Sequence, residues 1–228
     1  IWSCKMGVHD GHRERMKSRF VEAGLEGFND HNALEMLLFY AVPRKDTNEL
    51  AHRLLKHFGS LGGVFEASYE ELLQVDGIGE NTATLLKLVP AVSQRYLMTK
   101  YLPEKTVRSS SDAGKYFVAR FMYEVNEMAY ALLLNSSNGV IACKQISSGI
   151  VNATEISIRM LVEIALKNNA AGVIIAHNHP GAQPFPSKED EHSTEIIRKA
   201  LDLVDIKLLD HIIVGGKDYR SLTKMGVM

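Results

Sequence analysis

The sequence predicts a two-domain α+β protein, in which an all-α bundle precedes an α/β domain built on a mixed sheet flanked by helices. Apolar residues recur at helical spacing through residues 11–98, with breaks only at short Gly, Asp or Pro signals. From residue 111 onward, apolar strands alternate with helical segments, which is typical of a helix-covered sheet. The connecting segment YLPEKTVRSSSD carries a proline, mixed charge and a serine run. We therefore place the domains at residues 9–100 and 107–228.

The first domain is predicted to contain five helices, over residues 11–23, 31–40, 47–58, 69–74 and 80–97. Asp30, Asp46 and Ser68 are suitable N-caps, because a short polar side chain accepts a hydrogen bond from first-turn N–H groups. Gly59 is suited to end the third helix, since glycine adopts the left-handed conformation at little cost. Pro90 lacks a backbone N–H, so the last helix is expected to kink or split there.

The second domain is predicted to begin with a helix over residues 111–125 and to continue with a hairpin. The strands of this hairpin are EMAYALLLN and VIACKQISS, and SSNG forms the turn. A helix over residues 153–168 then leads into the strand AGVIIAH. After a helix over residues 187–204, the strand KLLDHIIVG is expected to pair through GGKD with YRSL.

The composition favours a folded protein of the cytoplasm. With 228 residues, 46% of them hydrophobic, the chain can bury a sizeable core. Its formal net charge of -1 gives no general attraction to nucleic acid or anionic membranes. Two cysteines, Cys4 and Cys143, are too few for a disulfide framework, which fits a reducing compartment. No apolar run reaches membrane-spanning length and the first residues lack a signal-peptide core, so we expect no membrane partner.

The segment AHNHPGAQPFPSKED, residues 176–190, indicates a metal site. His177 ends an apolar strand and His179 follows two residues later, so both imidazoles lie on one side of an extended chain. Prolines stiffen the loop that follows, and Ser187 opens the next helix with Asp190 in its first turn. Two imidazoles and one carboxylate form the three-protein-ligand set of a catalytic zinc, with a fourth position left for water.

Simpler interpretations explain parts of this segment. Ser187 and Asp190 alone fit an N-cap followed by an acidic residue at the positive end of a helix. That interpretation leaves the two histidines, and their link to the cap through a rigid loop, unexplained. A zinc deaminase would need H-x-E and P-C-x-x-C, which the sequence lacks. In HNH nucleases the named residues are dispersed rather than adjacent, so the string His-Asn-His is a coincidence.

At family level, His177-Asn178-His179-Pro180 followed by Ser187 and Asp190 resembles the H-x-H-x7-S-x2-D signature of the JAMM (MPN-type) metalloproteases. Those enzymes hydrolyse peptide or isopeptide bonds with zinc. Longer segments resemble the bacterial RadC family over nearly the whole chain, namely NNAAGVIIAHNHPG, PFPSKED, LLDHIIVGGKDYRSL and GHRERMKSRF. This resemblance implies a JAMM/MPN-like, cytidine deaminase-like fold for the second domain.

The resemblance also implies roles for individual residues. It implies Zn2+ held by His177, His179 and Asp190, with Ser187 helping to stabilise the oxyanion. The family needs a glutamate on an earlier strand as general base, and Glu127, which begins EMAYALLL, is similar to it. From the residues alone, Glu127 is also explained as a solvated strand end.

Two departures from the RadC pattern bear on these roles. Gly181 and Ala182 follow Pro180, where the family usually has Ser-Gly, which alters the loop and removes no ligand. The preceding helix has Ile158-Arg159-Met160 where Pro-Arg-Glu is usual, so a catalytic glutamate at that position would be missing. The nearby carboxylates of Glu155 and Glu163 are better explained as solvated helix-face groups. His211 in LLDHIIVG fits a satisfied sheet histidine better than a partner of a metal ligand.

In the first domain, YEELLQVDGIGENTATLLKL has the form of a helix, a tight turn and a helix, and it resembles a helix-hairpin-helix module. Gly77 and Gly79 frame a loop whose N–H groups can meet a DNA phosphate. Asp76 and Glu80 stand where such modules usually carry Lys or Arg, which favours a turn used only for packing. The stretch HRERMKSRF offers local basic charge instead.

The leading hypothesis is a zinc-dependent hydrolase of a peptide or protein, with DNA contact through the hairpin left open. The family name carries a DNA-repair association that these residues do not demonstrate. A metal-dependent nuclease is one alternative, but it predicts Mg or Mn and a carboxylate-rich site, which the two-His, one-Asp set argues against. A non-catalytic binding protein with a structural ion is another, and it predicts that Glu127 lies away from the ion.

Overall fold

The computed structural model of the chain describes residues 8–43, 45–101, 106–148 and 156–228. The chain divides into two compact units, residues 1–92 and 93–228. The first is helical and the second contains a mixed sheet with flanking helices, so the predicted two-domain α+β class is confirmed. The domain limits 9–100 and 107–228 stay predictions.

Helices make up the first unit, in the order α1 (Val8–Ala23), α2 (Asp30–Ala41), α3 (Asn48–Phe58), α4 (Leu61–Glu66), α5 (Tyr69–Leu73) and α6 (Glu80–Tyr101), the last of which continues into the second unit. Apolar side chains of α2 to α6 meet in one cluster that includes the fully buried side chains of Leu34, Leu38, Leu54, Leu72 and Leu86. Burial of these leucines holds the short helices together, because helices of five or six residues are not stable alone in water.

The predicted helix caps are partly confirmed. Ser68 caps α5 in a capping box with Glu71, and Gly59 ends α3 at φ 81°. The cap of α2 is Asn29 rather than Asp30, and its side chain accepts from the Asn32 N–H. Thr47, rather than Asp46, is the N-cap residue of α3. The Asp46 carboxylate nevertheless accepts from the Asn48 N–H at 2.8 Å. Asp46 thus makes a capping hydrogen bond from the position before the N-cap residue.

Two further helix predictions for the first unit need correction. The sequence pattern did not indicate α4, whose six residues are too few for an apolar period, although Ser60 caps it. The last helix runs from Glu80 to Tyr101 through a buried Pro90, so the predicted split is wrong, while the predicted kink stays a prediction. Proline removes one N–H donor from a helix interior, yet the helix continues on both sides of this residue.

The described part of the second unit forms a five-stranded sheet in the order β2-β1-β3-β4-β5. The strands are β1 (Met128–Leu134), β2 (Val140–Ser148), β3 (Gly172–Asn178), β4 (Lys207–Gly215) and β5 (Asp218–Ser221). Only β3 and β4 are parallel to each other, while the other neighbours are antiparallel. The predicted mixed sheet and both predicted hairpins are therefore confirmed.

Helices cover both faces of this sheet. α7 (Ser110–Phe121) packs on one face, against Tyr130, Leu132 and Leu134 among others. α8 (Ile158–Lys167) and α9 (Lys188–Asp202) pack on the other face, against the alternate residues of β1, Ala129, Ala131 and Leu133. Because both faces are buried, β1 is an unbroken apolar run rather than an alternating one. The short helix α10 (Leu222–Met225) follows β5.

The predicted ends of two helices in the second unit were wrong. α7 stops at Phe121, four residues before the predicted end. α8 begins at Ile158 behind the N-cap Ser157, whose hydroxyl accepts from the Met160 N–H. The earlier start was predicted at residue 153, and residues 153–155, including Glu155, lie outside the described part of the chain. No described helix is long and apolar enough to span a membrane.

Candidate metal centre

The candidate metal centre lies where β3 ends. His177 is aligned with Ala129 of β1 on one side and with Ile213 of β4 on the other. The N–H of His179 donates to the Val214 carbonyl at 2.8 Å, which extends the alignment with β4 past the end of the strand. Side chains alternate along this extended chain, so both imidazoles lie on the face that α9 covers.

His177, His179 and Asp190 each direct one ligand atom toward a common point, within 4.8 Å of one another. The Nε2 atoms of the two histidines are 3.0 Å apart, and Asp190 Oδ1 is 3.3 Å from His177 Nε2. In a tetrahedral zinc site with ligands at about 2.0–2.1 Å, neighbouring ligand atoms lie roughly 3.3 Å apart. The spacing therefore fits one metal ion.

The start of α9 orients the Asp190 carboxylate. Asp190 Oδ2 accepts from the Ser187 N–H at 2.8 Å and from the Ser187 hydroxyl at 2.7 Å. In return, the Asp190 N–H donates to Ser187 Oγ at 3.0 Å, which completes a capping box. One carboxylate oxygen is thus held by the helix cap, and Oδ1 remains to face His177. Asp190 can therefore cap α9 through Oδ2 and bind a metal ion through Oδ1 at the same time.

Two buried residues, His211 of β4 and Thr194 of α9, complete a hydrogen-bond chain behind His177. His177 Nδ1 is 2.8 Å from His211 Nε2, and His211 Nδ1 is 2.6 Å from Thr194 Oγ1. The Thr194 hydroxyl donates to the Asp190 carbonyl at 2.5 Å. Because that hydroxyl proton is already engaged, the consistent assignment has His211 Nδ1–H donating to Thr194 and His177 Nδ1–H donating to His211.

This assignment leaves the Nε2 lone pair of His177 free to bind a cation. His179 is arranged in the same sense, since its Nδ1 lies 3.4 Å from the Gln183 carbonyl. Two bare nitrogens at 3.0 Å repel each other, and an ion between them removes that repulsion. Two neutral imidazoles and a carboxylate form a donor set that occurs in catalytic zinc sites.

Burial keeps both linked histidines neutral, which is the form that binds metal. Desolvation lowers the pKa of His177 to about 4, with the Asp190 carboxylate opposing the shift and His179 adding to it. Desolvation likewise lowers the pKa of His211 well below its ordinary value, and His177 and His179 add to that shift.

The metal-free protein is therefore expected to lose stability on acidification from pH 7 to pH 5. In this window His177 is neutral in the folded protein and becomes protonated in the unfolded chain, so unfolding takes up a proton. The free energy of unfolding therefore decreases as the pH is lowered. For His177 the loss is about 2 kcal/mol at pH 5. Thermal unfolding in the presence of a chelator measures it, and a His177→Gln variant should show a correspondingly smaller fall. An equal fall in both proteins would contradict the assignment.

Glu127 immediately precedes β1 and is exposed. The pairing of Ala129 with His177 sets an antiparallel register that, continued by two residues, brings Glu127 opposite His179. Residues at positions of equal parity share a sheet face, so Glu127 belongs to the face that carries the imidazoles. Its carboxylate is not part of the three-residue cluster, and its catalytic role stays a prediction.

The loop between the candidate ligands packs closely on β4. A Cβ atom on Gly215 would overlap the Ala182 carbonyl and would lie 2.7 Å from Pro184 N. The Arg220 guanidinium also lies over the exposed Phe185 ring, 5.3 Å from its centre. These contacts place residues 182–185 of the loop against β4 and β5, and the three candidate ligands lie together although Gly181 and Ala182 depart from the family pattern.

In the first unit, the hairpin between α5 and α6 has the predicted tight turn, with Gly77 at φ 89°. Arg53 donates to the carbonyl of Asp76 and, at 3.1 Å, to its carboxylate. The nearby cation is thus engaged with the turn itself. A nucleic-acid role for Gly77 and Gly79 stays a prediction.

The basic stretch HRERMKSRF also makes internal contacts. Arg13 donates to the carbonyls of Val42 and Pro43 at 2.8 Å and of Lys45 at 2.6 Å, so its guanidinium closes the end of α2. Arg19 donates to the Gly27 carbonyl. These two arginines therefore help to fold the unit, which weakens the case for a DNA-binding basic patch.

Sequence reasoning did not identify Thr194 as a contributor to the site, and it favoured a structural part for His211 over a role as partner of a metal ligand. His211 is satisfied within the sheet, as expected, but it also contacts the His177 ring. The only sequence signal for the pair was a histidine and a hydroxyl residue in otherwise buried positions. Glu163 is exposed and paired with Lys167 at 2.6 Å, as expected for a helix-face group.

Comparison with known proteins places both parts of the chain. Residues 107–227 match the family described as the RadC-like JAB domain, and residues 11–84 match the UPF0758 N-terminal family. A UPF0758 protein of Fusobacterium nucleatum is 36% identical over 227 residues, covering 96% of this chain and 98% of that protein. UPF0758 proteins of Neisseria gonorrhoeae and a Geobacillus species are 35% and 34% identical, over 94% and 93% of this chain and 96% and 94% of theirs.

Proposed function

The chain belongs to the RadC family, and from this premise we propose that it is a zinc-dependent peptidase or isopeptidase. RadC-like JAB domains are of the metal-dependent hydrolase type. The observation that carries the proposal is the convergence of His177, His179 and Asp190, with the free lone pair of His177 fixed by His211 and Thr194. Its substrate would be a peptide or protein.

Zinc is the metal that best suits this donor set. His177 and His179 would each bind through Nε2, and Asp190 would bind through Oδ1. Magnesium and calcium prefer oxygen ligands and retain water, so a site with two imidazoles disfavours them. Three protein ligands leave one position of a tetrahedron open, as catalytic rather than structural zinc sites do.

When bound, Zn2+ supplies a Lewis acid that polarises a carbonyl oxygen and makes a coordinated water acidic enough to ionise near neutral pH. The Glu127 carboxylate would accept the proton of the water that attacks the carbonyl carbon. When the C–N bond breaks, Glu127 would return this proton to the leaving amine nitrogen. The reaction consumes one water and leaves Glu127 ionised again.

Ser187 is proposed to act mainly through Asp190. Its hydroxyl donates to Asp190 Oδ2 and so fixes the carboxylate plane. To stabilise an oxyanion, as the family resemblance implies, the hydroxyl would have to release this acceptor and turn toward the substrate oxygen. Both roles predict that Ser187→Ala lowers the affinity of the site for zinc. Only the oxyanion role predicts a lower kcat at saturating zinc.

His211 should control zinc affinity without binding zinc itself. His211→Ala removes the acceptor of the His177 Nδ1–H, so the ring loses its fixed orientation. Loss of such a partner typically lowers metal affinity 10–100-fold. Competition with a chromophoric chelator measures the change. Thr194→Val should act in the same direction and Thr194→Ser should not, while equal affinity in all variants would contradict the role.

Hydrolysis assays test the proposed function directly. Zinc-loaded protein is incubated with a mixed peptide library, including lysine isopeptides, and cleavage is followed by mass spectrometry. We expect cleavage that a chelator abolishes and added Zn2+ restores. A parallel assay with single- and double-stranded DNA and Mg2+ or Mn2+ tests the nuclease alternative. DNA cleavage without peptide cleavage would overturn the proposal in favour of a nuclease, and zinc binding without either would indicate a structural ion.

A further inference from the structure

Asn178, the residue between the two histidines, holds the segment that carries Glu127. Its side chain is buried and makes two hydrogen bonds to the start of β1. Oδ1 accepts from the Met128 N–H at 2.7 Å, and Nδ2 donates to the Asn126 carbonyl at 3.0 Å. These two bonds attach on either side of Glu127.

The two bonds act where the backbone pairing of the strands has ended. The register between β1 and β3 begins at Ala129, opposite His177, and Met128 is the first residue of β1. Residues 126 and 127 precede the strand, so the Asn178 side chain extends the pairing of β1 with β3 beyond its last backbone rung. An exposed segment is thereby tied to a buried group.

The chemistry of this clamp requires a carboxamide. One group must accept a proton from an N–H and another must donate one to a C=O, and the asparagine side chain does both at once. An ionised aspartate accepts but cannot donate, and an aliphatic side chain does neither. Asn178 is also joined to His177 and His179 by peptide bonds, because it lies between them in the sequence. It therefore couples the position of Glu127 directly to the positions of the two candidate ligands.

We propose that Asn178 is a positioning residue that fixes Glu127 relative to His177 and His179. This inference rests on the proposed hydrolase function, with Glu127 as general base. The Glu127 side chain is exposed and makes no hydrogen bond or ion pair with another described residue. The backbone of Glu127 therefore determines the position of its carboxylate. Displacement of a catalytic group by about 1 Å can cost a hundredfold in rate, which makes a backbone clamp consequential.

The test is a double-mutant cycle. Asn178→Ala is made in the wild type and in the Glu127→Gln variant, and kcat and KM are measured for each zinc-loaded protein on a peptide from the library assay. We expect Asn178→Ala to lower kcat about 100-fold in the wild type, with KM and zinc affinity changed less than about threefold. In the Glu127→Gln background it should have no further effect, because the group that it positions is already gone.

A matched control separates positioning from stability. Asn135 lies at the other end of β1, and its side chain accepts from the Ser137 N–H at 2.9 Å and the Gly139 N–H at 2.8 Å. Asn135→Ala therefore also removes two side chain–backbone bonds and should lower the melting temperature while kcat is unchanged. If Asn178→Ala does not fold, the cycle is measured with Asn178→Asp instead. This variant retains the acceptor for the Met128 N–H and loses only the donor to the Asn126 carbonyl.

A second measurement does not depend on turnover. With Co2+ in place of zinc, the pH midpoint of the visible spectrum reports the groups around the coordinated water. Asn178→Ala and Glu127→Gln should shift this midpoint alike, and Asn135→Ala should leave it in place. The inference is overturned if Asn178→Ala keeps at least half of the wild-type kcat, if its effect adds fully to that of Glu127→Gln, or if the Co2+ midpoint responds to Glu127→Gln alone. If Glu127→Gln changes neither kcat nor the midpoint, the general-base proposal fails, and Asn178 loses its role with it.

Discussion

Replacing both His177 and His179 by alanine is expected to reduce zinc binding from one equivalent per chain to a negligible amount. The two imidazoles supply the nitrogen ligands of the centre, with their Nε2 atoms 3.0 Å apart. Asp190 alone cannot hold zinc against water, because a single carboxylate supplies only one of the ligands that a zinc site needs. Hydrolytic activity should be lost with the metal. Elemental analysis of protein dialysed against trace zinc gives the content.

The matched control for this variant is His192→Ala. His192 lies two residues after Asp190 on the exposed side of α9, so it is near the centre in sequence and outside the three-residue cluster. Zinc content should be unchanged in this variant. If the double variant and the wild type contained equal zinc, or if neither contained any, the metal-dependent enzyme proposed above would be wrong.

Glu127→Gln is expected to lower kcat by about 10²–10⁴-fold while zinc content stays at one equivalent. Glutamine has nearly the same shape as glutamate but cannot accept the proton from water, so only proton transfer is removed. The register that brings Glu127 opposite His179 supports this assignment. Activity and metal content measured on the same sample distinguish loss of the base from loss of the ion.

Glu163→Gln provides the comparison for Glu127→Gln. The Glu163 carboxylate is exposed on α8 and pairs with Lys167, and this pair contributes little to stability at a solvated surface. Its loss should leave both kcat and zinc content unchanged. Full activity in Glu127→Gln would show that another group moves the proton. The glutamate of the usual Pro-Arg-Glu motif could not be that group, because Met160 stands at its position in this chain.

The three candidate ligands could be predicted from the sequence because each depends on local structure. Strand alternation places His177 and His179 on one side, and the helix cap turns Asp190 back toward them. The contact between His177 and His211 could not be predicted in this way. It depends on the parallel register of β3 and β4, across 34 residues of chain, and no local periodicity encodes that register.

Other errors also have local causes. Asn29 and Asp30 are both good capping residues, so their types alone do not decide which one begins α2. Pro90 predicts a break from its missing N–H, but tertiary burial of the helix around it prevails. The role of Asn178 was hidden for a different reason, since an asparagine at the end of a strand gives no indication of what its amide contacts.

The sequence positions of the candidate metal ligands and of the proposed general base indicate an order of assembly during folding. His177, His179 and Asp190 lie within one short stretch, whereas Glu127 is distant in sequence and would approach them only through pairing of β1 with β3. In the proposed enzyme, a chain in which β3 and β4 have paired but β1 has not yet joined β3 would hold its candidate ligands without the proposed proton acceptor. In the proposed hydrolase, a chain at this stage could bind metal and could not yet hydrolyse a substrate.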